Sequence, residues 1–169
     1  MTLDELAEQL KSGAITVPQW ESSMRDFLRT EYETALILAK GGRDNVTFSD
    51  WGYEGSLLKK QYAYLSNFAK EISANPAAWM NNRLNARMNM YGESAYSALE
   101  DFRAREAAAQ GCDEEENELG GADNNCDGCL EENGKGRVPI GTLVPVGARD
   151  CIVNCRCTIR FYKQGVLVG

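Results

Sequence analysis

The chain has 169 residues, with 18 Lys and Arg against 25 Asp and Glu, no histidine and a net charge of −7; this length suits one domain, or a domain with an appendage. The acidic balance argues against the basic surface that non-specific binding to DNA or to an anionic membrane requires, and the lack of histidine excludes every His-dependent catalytic triad or dyad. No apolar run approaches the ~20 residues of a membrane span, and Met1-Thr-Leu-Asp-Glu-Leu6 lacks the basic stretch of a signal peptide, so synthesis and folding in a cytoplasm are expected.

Four helices are predicted before Gly111. Leu3, Leu6 and Leu10 mark a short first one that ends at Gly13. Thr16 is the N-cap expected for the second, with Pro18 in its first turn, where a missing N–H costs little. Trp20, Met24, Phe27, Leu28, Ala35 and Leu38 recur along it at helical spacing, and Gly41-Gly42 ends it. The third starts near Ser49-Asp50 and carries Trp51, Leu58, Tyr62, Leu65, Ala69 and Ile72. Asn75-Pro76 opens the fourth. Its stripe is Trp79, Met80, Leu84, Met88, Tyr91, Ala95, Leu99 and Phe102, with Gly92 as the place for a bend. Running to about Gln110 it would reach roughly 50 Å, so one end is expected to project or to meet a partner. The stripes read as core. Arg83, Arg87, Arg103 and Arg105 read as a solvated face balanced by Glu93, Glu100, Asp101 and Glu106.

Helical periodicity stops near Gly111, where Gly, Asp, Asn and Cys take over. The expected fold class is therefore mainly α with a small α+β C-terminal module. A helical bundle with one long helix occupies residues 1–110, and a cysteine-stapled loop and β-strand segment occupies 111–169. The acidic run Asp113-Glu-Glu-Glu-Asn-Glu118 lacks the alternating ligand spacing and central Gly of an EF-hand loop and reads as a solvated linker. Arg137 to Gly147 has Pro and Gly at regular intervals and reads as an extended arm with turns. Cys155-Arg-Cys157-Thr-Ile-Arg-Phe161 alternates. It is predicted to be a strand with Cys155, Cys157, Ile159 and Phe161 on one face.

The chemistry of the chain is concentrated in Cys126-Asp-Gly-Cys129 and Cys151-Ile-Val-Asn-Cys155-Arg-Cys157. The first has zinc-knuckle spacing, and the second offers three more soft ligands. Four readings are open. They are a structural zinc held by Cys126, Cys129 and two of Cys151, Cys155 and Cys157; disulfides between the same two segments, with no cofactor; a redox dithiol at Cys126 and Cys129; and buried free thiols. Asp123, Asp127, Glu131 and Glu132 count against the redox dithiol, because acidic neighbours raise thiol pKa values. A closed four-thiolate site leaves no position for substrate. With no Walker loop, no G-x-S-x-G and no convincing pair of buried carboxylates, a non-enzyme is expected.

From Arg83 to Phe161, a little under half of its length, the chain resembles the phage head-morphogenesis proteins, the Mu F-like minor head proteins of tailed bacteriophages. The family's Arg-bearing helix corresponds to the helix around Arg87. Its C-x-x-C corresponds to Cys126-Asp-Gly-Cys129, and its C-R-C strand to Asn154-Cys155-Arg-Cys157-Thr158. Two positions depart from the pattern. Ile152 stands in place of the usual His, beside Cys151, which would take over the ligand role. Met88 and Asn89 stand where an acidic residue often follows the helical Arg. Ser49-Asp-Trp-Gly52 and Lys60-Gln-Tyr-Ala-Tyr64 look like the helical half of shorter phage-encoded proteins of this kind. The resemblance implies a virion or assembly protein: a minor capsid, portal-associated or decoration protein. Its partners would be capsid or portal proteins, it would be oligomeric in the particle, and it would touch neither nucleic acid nor membrane. A virion leaves the reducing cell, which favours the disulfide reading. The alternative is a zinc-binding interaction module of a regulatory protein.

Overall fold

The computed structural model describes residues 2–121 and 125–168. It is mainly helical with a small antiparallel sheet toward the C-terminus, the class the sequence predicts. Two compact units form, one from Met1–Thr34 with Val46–Ala95, the other from Ala35–Asn45 with Tyr96–Gly169.

In the first unit the helix starts are set by side-chain caps. Helix α1 (Leu3–Lys11) begins with a capping box between Thr2 and Glu5. Helix α2 (Val17–Ala39) begins at Thr16, whose N–H donates to Gln19 Oε1 at 2.8 Å. Helix α3 (Phe48–Ala74) has the box Thr47–Asp50. The fourth predicted helix is two. Helix α4 (Pro76–Trp79) stops where Met80 leaves helical geometry, and Asn81 Oδ1 then accepts the Arg83 N–H at 2.8 Å to start α5 (Asn82–Ala109). Helix α5 runs unbroken through Gly92. A Cβ there would stand 3.1 Å from Leu3 Cδ1, so this glycine permits close packing where a bend was expected.

The predicted stripes form the core. Trp20, Met24, Leu28, Leu65, Ile72, Leu84 and Met88 are fully buried. The Phe68 ring meets Trp20 and Trp79 edge-on, at 5.6 and 4.8 Å, and stacks on Tyr91. Leu38 departs from the prediction: it is 64% exposed, while Tyr32 and Leu36 are buried in its place. Arg83 and Arg87 are exposed, as expected of a solvated face, and lie over the Trp79 and Phe68 rings at 4.7 and 5.6 Å in cation–π contacts.

Glu54 is a buried carboxylate in this unit. Burial, and then repulsion from Glu33, push its pKa above the ordinary value. The folded state therefore favours the protonated form. The penalty is absent below the unfolded pKa, grows as pH rises through the raised folded value and is complete above it. Glu54→Gln is expected to raise the melting temperature at pH 7 by a few °C, on the order of 1 kcal/mol, and to leave it unchanged in acid. Thermal unfolding across pH checks this; an equal gain in acid would refute it.

The second unit carries the sheet, in the order β2–β1–β3–β4, all antiparallel. The acidic run read as a linker is strand β1 (Glu114–Glu118), an interior strand of the sheet. It faces two ways. Glu115 and Asn117 point inward and are buried. Glu116 and Glu118 face the other way and are met by the Tyr162 hydroxyl and the Arg160 guanidinium. Poor intrinsic strand propensity is overridden by cross-strand partners. Strand β2 (Val138–Pro139) pairs with β1, and Leu143 and Val146 beyond it are buried. The Pro/Gly arm thus folds onto its own module. Strand β3 (Thr158–Lys163) starts later than predicted but keeps the predicted face. Cys155, Cys157, Ile159 and Phe161 are 1–5% exposed. A hairpin at Gln164-Gly165, with φ of 52° and 78°, leads to β4 (Val166–Val168); two left-handed residues in succession mark a type I′ turn. Among the described residues no helix is long and apolar enough to cross a membrane.

Candidate metal centre

The C-x-x-C does not lie in a loop. Cys126 is the N-cap of a short helix, α6 (Asp127–Gly134), and its carbonyl accepts the N–H groups of Cys129 and Leu130 at 2.9 and 3.1 Å. The first turn of α6 therefore brings both thiols to one side. Asp150 Oδ2 accepts the Gly128 N–H at 3.0 Å, which ties this turn to the segment that carries Cys151. A 3₁₀ turn, Ile152–Asn154, follows, and brings Cys155 back toward α6. Ile152 holds a φ of 48° there, a strained value for a β-branched residue, and its side chain is exposed. On the far side the Tyr96 hydroxyl donates to the Cys157 carbonyl at 3.0 Å.

All five predicted sulfurs meet around Cys129. Its Sγ is 3.5 Å from Cys151 Sγ and 3.6 Å from Cys155 Sγ. Cys126, Cys129 and Cys151 form one group of donors that could hold a metal ion; Cys129, Cys155 and Cys157 form another. Within each the sulfurs lie within 4.8 Å of one another. Cys151 joins the cluster, in keeping with the ligand role expected of it in place of a histidine. Cys112 is buried in the same apolar core but belongs to neither group.

These separations can be compared with the two bonded alternatives. A disulfide holds its sulfurs about 2.05 Å apart, and no pair here stands at bonding distance. A tetrahedral zinc with bonds of about 2.3 Å places its sulfurs about 3.8 Å apart. The observed 3.5 and 3.6 Å are close to that edge length.

The thiols divide by ease of ionisation. Burial pushes the Cys129 thiol far up, with the Cys157 and Cys126 thiols adding to the effect and Arg149 opposing it. Burial, then Cys126, pushes Cys151 up to about 12. Burial also opposes ionisation of Cys126 and Cys155. There it is outweighed by hydrogen bonds, first from the backbone of Cys129 and of Cys157 respectively, so both thiols fall below the ordinary value. Acidic neighbours, which the sequence offered as the cause of raised values, are not among the leading causes; Asp123 lies outside the described residues. Such a mixture of held and easily lost protons is one that a divalent cation displaces together on binding.

Two residues around the sulfurs carry no sequence signal. Asn117, inward on β1 and 1% exposed, donates to the Cys129 carbonyl at 3.4 Å and accepts from Arg149 Nη1 at 2.8 Å. Arg149, itself 6% exposed, places Nη1 3.8 Å from Cys129 Sγ. Elsewhere in the unit, Ala104 and Ala108 of α5 and Ile140, Val144 and Val146 of the arm line a cleft of about 410 Å³. No protein-family model, curated protein or solved structure matches the chain.

Proposed function

We propose that the protein is a non-enzymatic structural module. A zinc ion held by four of the five clustered thiolates fixes its C-terminal sheet, and it acts through protein–protein contact as a minor or assembly component of a tailed-phage head. The observation that carries the metal half of this reading is the convergence of Cys126, Cys151, Cys155 and Cys157 on Cys129 at sulfur separations suited to a tetrahedral thiolate site. Zinc suits an all-sulfur tetrahedral donor set, since it has no geometric preference of its own and binds thiolates strongly. Four ligands close the site, so its role is to hold chain segments together. The module has few means of its own to do so: β2 has two residues and β4 three.

The phage half rests on the order of elements, an Arg-bearing helix, then C-x-x-C, then the Asn-Cys-Arg-Cys segment that leads into β3. The cleft between α5 and the arm, lined by Ala104, Ala108, Ile140, Val144 and Val146, supports contact as the mode of action.

One preparation tests both halves. Elemental analysis of protein purified without chelator should find about one zinc per chain, and a thiol count under denaturing, non-reducing conditions should find all six cysteines reduced. Absent zinc with fewer reactive thiols would replace the metal with disulfides. The chain should also co-sediment with phage heads or portal rings in infected-cell lysates. A chain that binds zinc but stays in the supernatant would be a regulatory module.

A further inference from the structure

We propose that Arg149 is the built-in counter-ion of the thiolate centre, that its guanidinium sets how tightly the cluster retains a divalent metal, and that Asn117 is the positioning residue that aims it. This rests on the metal reading above and deepens it.

The fold buries a permanent cation. Arg149 is 6% exposed and lies two residues before Cys151. Its Nε donates to the Val144 carbonyl at 2.9 Å and its Nη1 to Asn117 Oδ1 at 2.8 Å. Its Nη2 is buried and has no hydrogen-bond partner. No carboxylate of the described residues forms an ion pair with it. Glu132, close enough to feel its charge, gives its oxygens to Lys135 and to the Val144 N–H. A buried guanidinium without an anionic partner is strongly disfavoured.

The anion within reach is sulfur. Nη1 stands 3.8 Å from Cys129 Sγ, the one thiol common to both donor groups. Four thiolates around a divalent cation carry a net charge of −2, and metal binding is what removes their protons. A single guanidinium offsets half of that charge in an enclosed site, where its field is weakly screened. With neutral thiols or disulfides the nearest negative charge would be Glu132, whose oxygens are already bonded to Lys135 and the Val144 N–H, so a charged cluster at Cys129 compensates the arginine more directly. Asn117 fixes the geometry from the sheet. Its side chain touches both the guanidinium and the Cys129 backbone, so β1 holds cation and ligand in register.

The test compares wild type with Arg149→Met, Arg149→Lys and Asn117→Ala in the full-length chain. Zinc retention is read by competition with a chromogenic chelator, and the site is read by the sulfur-to-metal charge-transfer band after Co²⁺ substitution. Arg149→Met should weaken zinc about 10- to 100-fold, the range for outer-shell partners of metal ligands. Its charge-transfer band should move to lower energy, because uncompensated thiolates give up electrons more easily. Arg149→Lys should recover part of both effects, and Asn117→Ala should show a smaller shift in the same direction. Wild-type affinity and an unmoved band in Arg149→Met would overturn the inference and leave the zinc site standing. If Arg149→Met does not fold, unchanged values in both Arg149→Lys and Asn117→Ala would overturn it. A wild-type chain that takes up neither zinc nor Co²⁺ would overturn the metal reading, and this inference with it.

Discussion

Cys129→Ser is expected to abolish stoichiometric zinc binding and to unfold the sheet of the second unit, while the first unit keeps its helices. Cys129 is the one sulfur shared by both donor groups and is 2% exposed. Four cluster thiols remain in the variant, but they are two pairs that Cys129 alone joins into one cluster, and a serine hydroxyl is a poor ligand for a soft thiolate-bound metal. Structural zinc supplies about 10–16 kcal/mol of binding free energy in small zinc-dependent peptides. Losing even a third of that, about 3–5 kcal/mol, would remove a large part of the ~5–15 kcal/mol that holds a typical domain together. The first unit has its own core around Phe68, Trp20 and Leu65, with no cysteine in it. Residue-resolved hydrogen exchange separates the two. Amides of β1 and β3 should lose protection while those of α1 and α3 keep theirs. Equal loss throughout the chain would show that the metal centre holds the whole molecule together, and would refute the assignment of the cysteines to one module.

How much of this was legible in the sequence follows from the range of the interactions involved. The helices of the first unit were readable because their stripes and caps are local: Thr16 and Gln19, or Thr47 and Asp50, are three residues apart and satisfy each other. The face of β3 was readable for the same reason, since alternation places Cys155, Cys157, Ile159 and Phe161 together whatever lies opposite. Strand β1 was not readable. Its inward residues are polar, and their partners are distant in the chain: Leu143 N–H for Glu115, Arg149 for Asn117. A run of glutamates looks solvated until those partners are known. Helix α6 is only eight residues long, with glycines at its second and last positions, too short for a periodic signal. The convergence of five thiols was expected as a set. The arginine that faces them was not, because a single Arg before a cysteine is commonplace and its burial depends on the fold.

The site is also expected to fail without any change to sulfur or charge. Gly120→Ala should cost about 3 kcal/mol or more in stability and weaken zinc binding at least tenfold. A Cβ built on Gly120 would stand 2.4 Å from the Arg156 carbonyl oxygen and 2.7 Å from its carbonyl carbon. These are backbone atoms, so no side-chain rotation relieves the overlap, and the strain exceeds the ~1–3 kcal/mol of ordinary core overpacking. Arg156 lies between Cys155 and Cys157, both 1% exposed. Any shift of its carbonyl that accommodates the methyl group moves those two sulfurs relative to Cys129, in a site whose bond lengths tolerate about 0.2 Å. The neighbouring glycine supplies the control. A Cβ on Gly121 meets nothing among the described residues within 4 Å, so Gly121→Ala should leave both melting temperature and zinc affinity close to wild type. Thermal unfolding and chelator competition on the pair read the difference directly. If the two variants behave alike, the close approach of Gly120 to Arg156 is not what holds the terminal cysteines in place.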